Sequence, residues 1–381
     1  MQNSIQNSIQ NSIQKHSARR NFQFDILRAI GIIFVVWGHN YQPSYVFYPA
    51  YYFQVALFFF ISGYFFTPKL TFHDKVFYFF KKTRTLLLVY LILNFLFGLF
   101  TVFLKTKGIN LGMDLNFSSV FIEPFDRGDQ FALFLPAWFL FNLYFINIFS
   151  GFVFHAKLVN IFIIVIFFIL MFIFLEVGRK PDNPFWLVFI IRSVYGFCIF
   201  SFGYVFRLYE HKLQRILIKP VTMLCLFLLV NILESYFGNI WYSILVGDIG
   251  NDITVVPVLS TISIVLLTYS IAFYLAKMSK THVLLLTLIG RNSFAIMSFH
   301  LVFFFIVNIV FYNLSLIPFS ALSDVYFRYE IQKLWIVYQL PAIFLPILIM
   351  ESYGILHEKI ISTTKYFLKA YVSNPVSRLF L

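Results

Sequence analysis

The first long apolar segment, FQFDILRAIGIIFVVWGHN, carries two side chains suited to chemistry, Arg28 and His39. Eleven α-helical steps make about three turns, so both would leave one helix face about 16 Å apart along the axis. A cation or an imidazole within hydrocarbon is costly and marks a group turned toward a protein- or water-lined cavity. A buried imidazole can bond a neighbouring helix, relay protons or act as a general base. Asp25 precedes Arg28 by one turn and returns to nearly the same face as His39. It could join a catalytic set, or simply pair with Arg28 and lower the cost of inserting both. Asn40 and Pro43 follow, which ends the expected helix there and puts His39 in the outer half of the membrane.

Other candidates are scattered. Among the eight histidines only His39 and His300 fall within expected spans; His300 could contact a ligand or bond an adjacent helix. Arg192 lies about two turns inside its span, as a cavity-lining cation or as an arginine snorkelling to the interface. Ser62, Trp138 and Asn40 could hydrogen-bond a substrate or serve packing alone. Lys82 and Arg84 form a basic pair just before an apolar run. Cys198 and Cys225 sit in apolar stretches and read as ordinary core residues, and no metal site is expected.

The elements that must position these groups are membrane helices. The chain has 381 residues, 60% hydrophobic and 12% charged, against about 25% charged in an average soluble domain. Taking about 20 apolar residues per crossing, ten spans are expected near 22–42, 51–66, 85–104, 131–153, 158–176, 186–207, 216–234, 254–275, 294–313 and 334–353. Lysine and arginine concentrate in alternate connections, which sets an even number of spans with both termini cytoplasmic. The net charge of +13 therefore reads as cytoplasmic loops that meet anionic lipid or a phosphorylated ligand, and no nucleic-acid partner is expected. The opening tetrad repeat Gln-Asn-Ser-Ile makes residues 1–21 a low-complexity cytoplasmic tail. Residues 22–353 form the membrane domain and 354–381 a basic cytoplasmic tail. The fold class is all-α, a polytopic helical bundle.

Several motifs resemble one family. Asp25-Ile-Leu-Arg28 through Gly38-His39 resembles the opening signature of the acyltransferase-3 family, bacterial membrane proteins that move acyl groups onto surface sugars. LFFFISGYFF, residues 57–66, resembles the family's second span, and Lys82 with Arg84 matches the basic pair opening its third. Trp138-Phe139-Leu140, Arg192 with Phe202-Gly203-Tyr204, and Gly290-Arg291-Asn292-Ser293 with His300 resemble later elements in the same order. The chain departs from the pattern at Gln54, Val55 and Ala56, where sugar-acylating members often carry His-Met-Pro, and at Thr85 and Val89.

The resemblance implies an O-acyltransferase, most simply an O-acetyltransferase, of the bacterial cytoplasmic membrane. It implies acetyl-CoA or another acyl-CoA as donor substrate, with no permanently bound cofactor. The acceptor would be a saccharide or lipid-linked glycan, with a separate acyl-accepting protein as a further partner. His39 would be the base, with Arg28 and Asp25 in its set. Arg28, Lys82, Arg84 and His300 would meet the donor, since guanidinium suits bidentate phosphate contact. Asn40, Ser62, Trp138 and Arg192 would meet the acceptor. The rival readings are a polysaccharide or small-solute transporter lined by Arg28, His39 and Arg192, and an assembly subunit of an envelope complex.

Overall fold

The computed structural model describes residues 21–40, 51–126, 128, 130–155, 157–178, 184–238, 240, 242–244, 248–249 and 253–373. The tail over residues 1–20, Pro43 and residues 374–381 lie outside the described residues. Every one of the ten expected apolar segments carries a helix. In order these are α1 (Phe22–Gly38), α2 (Gln54–Tyr64), α3 (Phe72–Lys82), α4 (Leu88–Thr106), a short α5 (Phe117–Phe121) and α6 (Ala137–Val153). They continue with α7 (Lys157–Gly178), α8 (Phe185–Leu217), α9 (Pro220–Phe237), α10 (Val255–Ala276), α11 (Lys280–Arg291), α12 (Ser293–Asn313) and α13 (Ile331–Ser373). The one sheet among the described residues pairs Tyr242–Ser243 with Asp248–Ile249, antiparallel. Among the described residues seven helices are long and apolar enough to cross a membrane, and α2, α6 and α11 are shorter apolar helices. The chain is an all-α membrane bundle.

Local chemistry explains the boundaries. The Asn21 side chain accepts from the Gln23 amide and starts α1. This helix stops at Gly38, earlier than expected, so His39 is its C-cap rather than an interior residue. The Gln54 Oε1 accepts from the Tyr51 and Phe53 amides ahead of α2, and Tyr51 adopts the left-handed region at φ 74°. Helices α3 and α4 are joined by a π-helical turn, Thr83–Leu87, so the basic pair lies on one continuous rod, Phe72–Thr106. Such a turn leaves a carbonyl unpaired and often marks a working site. The last helix does not end near 353: α13 runs on to Ser373, through part of the stretch expected to be a separate tail. Helix α11, amphipathic and only twelve residues long, falls below the length used to find spans and was not expected.

Glycines set the closest crossing. A Cβ on Gly63 of α2 would collide with the Phe200 carbonyl of α8, and one on Gly203 of α8 with the Phe60 carbonyl of α2. Each helix thus offers its glycine to the other's backbone, as small residues do where membrane helices touch. The SGY and FGY motifs that flanked the site in sequence are this crossing. Around it Phe206 packs edge to face on Phe60, and Phe202 lies against the same ring at a tilt of 43°. The lipid-facing surfaces carry exposed Phe162 and Ile169 on α7 and Leu224 and Ile232 on α9.

Candidate active site

One end of the bundle gathers the start of α1 and the end of α2. There Phe24 packs on Tyr64, and the Tyr64 and Tyr269 hydroxyls both donate to the Glu210 carboxylate of α8. Asp25, 1% exposed, accepts from Arg28 at 3.0 Å. The Arg28 guanidinium lies 5.6 Å from the Phe65 ring centroid and is about one third exposed. The backbone of Asp25 lies against Gly290 of α11, close enough to forbid a Cβ there, so the Gly290-Arg291 motif packs on the Asp25-Arg28 turn.

Three turns away, His39 stands at the other end of α1. Its carbonyl accepts from Arg328 Nη2 at 3.1 Å. Arg328 comes from the connection between α12 and α13; its Nη1 donates to the Val325 and Phe327 carbonyls at 2.7 and 2.6 Å. The guanidinium sits 4.2 Å over the Phe304 ring of α12. Burial pushes its pKa down to about 10, which leaves it charged at neutral pH. His300, fully buried on α12, lies beside His39 with ring centroids 5.2 Å apart and planes at 44°.

His39 opens onto a cavity of about 540 Å³, within the usual range for ligand sites. Ile32, Val35 and Met297 form one wall, Phe58, Trp138 and Phe139 another. The lining runs from Leu86, in the π-helical turn beside Lys82 and Arg84, to Tyr51 and Tyr326 in the connections at the far end. Both ends of the bundle therefore contribute to one cavity, and the imidazole lies along it.

The expected site residues distribute unevenly around this space. His39 and Trp138 line it; Arg28 and Asp25 do not, so the shared face of α1 does not place guanidinium and imidazole in one lining. Arg192 is fully buried behind Trp138, with its guanidinium 5.4 Å from that ring and Nη1 donating to the Asp126 carbonyl at 2.8 Å. Asn40 turns away to donate to the Trp335 carbonyl and the Gln339 side chain on α13. Ser62 accepts from Asn147 of α6 at 3.3 Å. Lys82 stacks near Tyr78, and Arg84 is exposed at the start of the rod. His300 sits beside His39 rather than with the basic pair.

Two features were not found from the sequence. Arg328 is a lone arginine in a connecting segment, with nothing in its neighbours to distinguish it. The hydroxyl-bearing rings of Tyr51, Tyr52, Tyr195, Tyr242 and Tyr326 come to one cavity from four separate segments. The Tyr242 Oη is enclosed with no hydrogen-bond partner among the described residues.

An imidazole on the wall of a largely aromatic cavity, with the basic pair on the helical rod that also brings Leu86 to that wall, is an arrangement that can support group transfer. Neither a curated protein nor a solved structure matches the chain significantly. The profile described as an acyltransferase domain matches residues 21–350, from the cap of α1 to the apolar part of α13. The chain is a membrane acyltransferase of the acyltransferase-3 family.

Proposed function

We propose that this protein moves an acyl group, most simply acetyl, from a coenzyme A thioester to a hydroxyl of a cell-surface polysaccharide or its lipid-linked precursor. The observation that carries the reading is one cavity whose lining includes both Leu86, in the π-helical turn beside Lys82 and Arg84, and His39 with the tyrosines gathered near it. The nucleotide end of the donor is anionic, and the basic pair can take its phosphates while the pantetheine arm threads inward. A sugar ring suits the other part, where Trp138 and Tyr242 offer an aromatic face and an unpartnered hydroxyl.

The chemistry needs a base because a sugar hydroxyl is a weak nucleophile at neutral pH. His39 takes the hydroxyl proton as oxygen attacks the thioester carbon. The new C–O bond forms, the C–S bond breaks, and the same proton passes from the imidazolium to the departing thiolate. Arg28, held by Asp25 at the end where the basic pair lies, stands as a second contact for the donor. The chain would act in the bacterial cytoplasmic membrane with both termini inside, directly or with a separate acyl-accepting partner.

The test compares ester-linked acyl groups on envelope polysaccharide, by mass spectrometry, in cells with and without the gene. Loss of esters with the gene is expected, and His39→Ala, produced at the wild-type level, should lower ester content at least about 100-fold. Unchanged esters alongside lost polymer export would overturn the reading in favour of transport. Full esterification by His39→Ala would remove the assigned base.

A further inference from the structure

His300 has a proton assignment that its surroundings dictate. Its Nδ1 lies 2.9 Å from the Ile296 carbonyl and 3.0 Å from the Met297 carbonyl, one turn back on α12. Carbonyl oxygens only accept, so Nδ1 carries the hydrogen and, in the neutral ring, Nε2 is a bare lone pair. That Nε2 is fully enclosed and has no hydrogen-bond partner among the described residues. Phe304 packs edge-on against the same ring, centroids 5.9 Å apart at 88°, and fixes its rotamer.

The neighbouring imidazole has the complementary need. His39 Nδ1 is likewise enclosed and unpartnered among the described residues, while the residue is partly exposed where it lines the cavity. Nε2 is then the nitrogen a substrate can reach. To act as a base there, neutral His39 must hold its hydrogen on Nδ1, which makes Nδ1 a buried donor in search of an acceptor. A buried acceptor without a donor stands 5.2 Å away, centroid to centroid. Leaving a buried donor and a buried acceptor unpaired side by side incurs the desolvation cost of both, and one bond between them satisfies the pair.

We infer that His300 is a positioning residue for His39: its Nε2 accepts the Nδ1–H of His39, selects the tautomer with Nε2 bare, and shares the charge when His39 takes the hydroxyl proton. The bond need not be closed before substrate binds, since catalytic hydrogen bonds are often long in the resting enzyme and tighten in the complex. Arg328 holds the adjoining backbone from the other side through the His39 carbonyl. The proton count is unchanged from the transfer step: one proton leaves the hydroxyl, resides on the histidine pair and departs with the thiol.

This inference rests on His39 as the base, and its test separates the two. The wild-type protein, full length in lipid nanodiscs with ¹⁵N-labelled histidine, is examined by NMR, with His39→Ala and His300→Gln used to assign the two rings. His39 should report the Nδ1–H tautomer and His300 likewise. Ester content on envelope polysaccharide is then measured at matched protein levels. His300→Phe fills the space without an acceptor and should lower transfer by about 10- to 100-fold, up to the smallest contribution a positioned base usually makes. His300→Gln returns an amide oxygen near the place of Nε2 and should recover activity to within about threefold of wild type, far short of the loss of about 100-fold or more that removing a base would cause. A His39 ring carrying its hydrogen on Nε2 would overturn the inference, as would wild-type transfer by His300→Phe. If His39→Ala itself retains transfer, the fault lies with the base and not with its partner.

Discussion

Arg328 offers the sharpest test of how the site is held. As the C-cap of α1, His39 has a carbonyl with no partner inside its own helix, and such a group needs an outside donor. Arg328 supplies it at 3.1 Å and ties the same guanidinium to two carbonyls of its own loop. It also lies 4.2 Å over Phe304 and 5.6 Å from Tyr338, so one planar group joins the loop, α12, α13 and the end of α1. A hydrogen bond from a charged donor is worth about 1.5–3 kcal/mol, and a cation–π contact about 1 kcal/mol where water reaches the cation. These do not add, because the residue is only half-buried and water can reach part of what it leaves. Arg328→Met keeps the length and the ring contacts and loses every donor. A net destabilisation of about 2–3 kcal/mol is expected, the upper part of the usual range for one substitution.

The effect on transfer should exceed the effect on stability. A catalytic group displaced by about 1 Å can lose about 100-fold in rate, and freeing the His39 carbonyl unties the base from the loop that fixes it. Arg328→Met should therefore lower ester formation about 100-fold in cells that hold normal protein levels. Arg328→Lys keeps the charge but cannot fork between three carbonyls, and about a tenfold loss is expected from a base held less well. Ester content by mass spectrometry gives the activity, and thermal unfolding of detergent-solubilised protein gives the stability. If lysine matches arginine in both, charge alone is at work and the argument from geometry fails. If methionine also matches, Arg328 does not hold the site at all.

Two further predictions concern the donor end and the crossing of α2 and α8. Lys82→Ala and Arg84→Ala should each raise the KM for acetyl-CoA about fivefold with little change in kcat, the effect of losing one screened ionic contact of about 1 kcal/mol; an unchanged KM in the double variant would remove the pair from the donor site. Gly63→Ala drives a methyl into the Phe200 carbonyl and should cost about 3 kcal/mol or more, above ordinary overpacking because backbone cannot rotate aside; a wild-type unfolding temperature would contradict the close approach.

The helices were legible because the apolar runs were long, and length is what hydrocarbon demands of a crossing. Where another force set the boundary, reading by length failed. Helix α1 ends four residues early because Tyr51 folds back, with its hydroxyl on the Gly38 carbonyl. Helix α11 is too short to register, yet it packs on Asp25 through Gly290. The site was legible only as far as a single helix carries it. Periodicity on α1 put Arg28 and His39 on one face, but a face has two sides of neighbours, and Phe65 with Asp25 holds Arg28 away from the cavity that His39 enters. The meeting of His39 with His300 and Arg328 joins positions 261 and 289 residues from His39 in sequence, and no spacing rule reaches that far. Asn40, adjacent to the base, reads as a catalytic neighbour; its amide instead fastens α1 to α13.

The cavity wall bears on why transfer would prevail over hydrolysis. A thioester held beside an active base is also open to water, so a transferase gains by presenting few polar groups besides those its acceptor uses. Much of the wall is Ile32, Val35, Phe58, Phe139 and Met297, which offer water nothing to bond. Gln54 lines the same space, and its amide oxygen is already occupied by the Tyr51 and Phe53 amides. Gln54, Val55 and Ala56, three of the five positions where the chain departs from the motifs it resembles, all lie on this wall. A histidine at one of them would bring a second titratable group near His39; here that stretch is apolar but for a bound glutamine, and among the described residues His39 is the only histidine on the lining. The departure therefore changes the polarity of this stretch of the wall while leaving His39, the neighbouring His300 and the Arg328 bond to the His39 carbonyl in place.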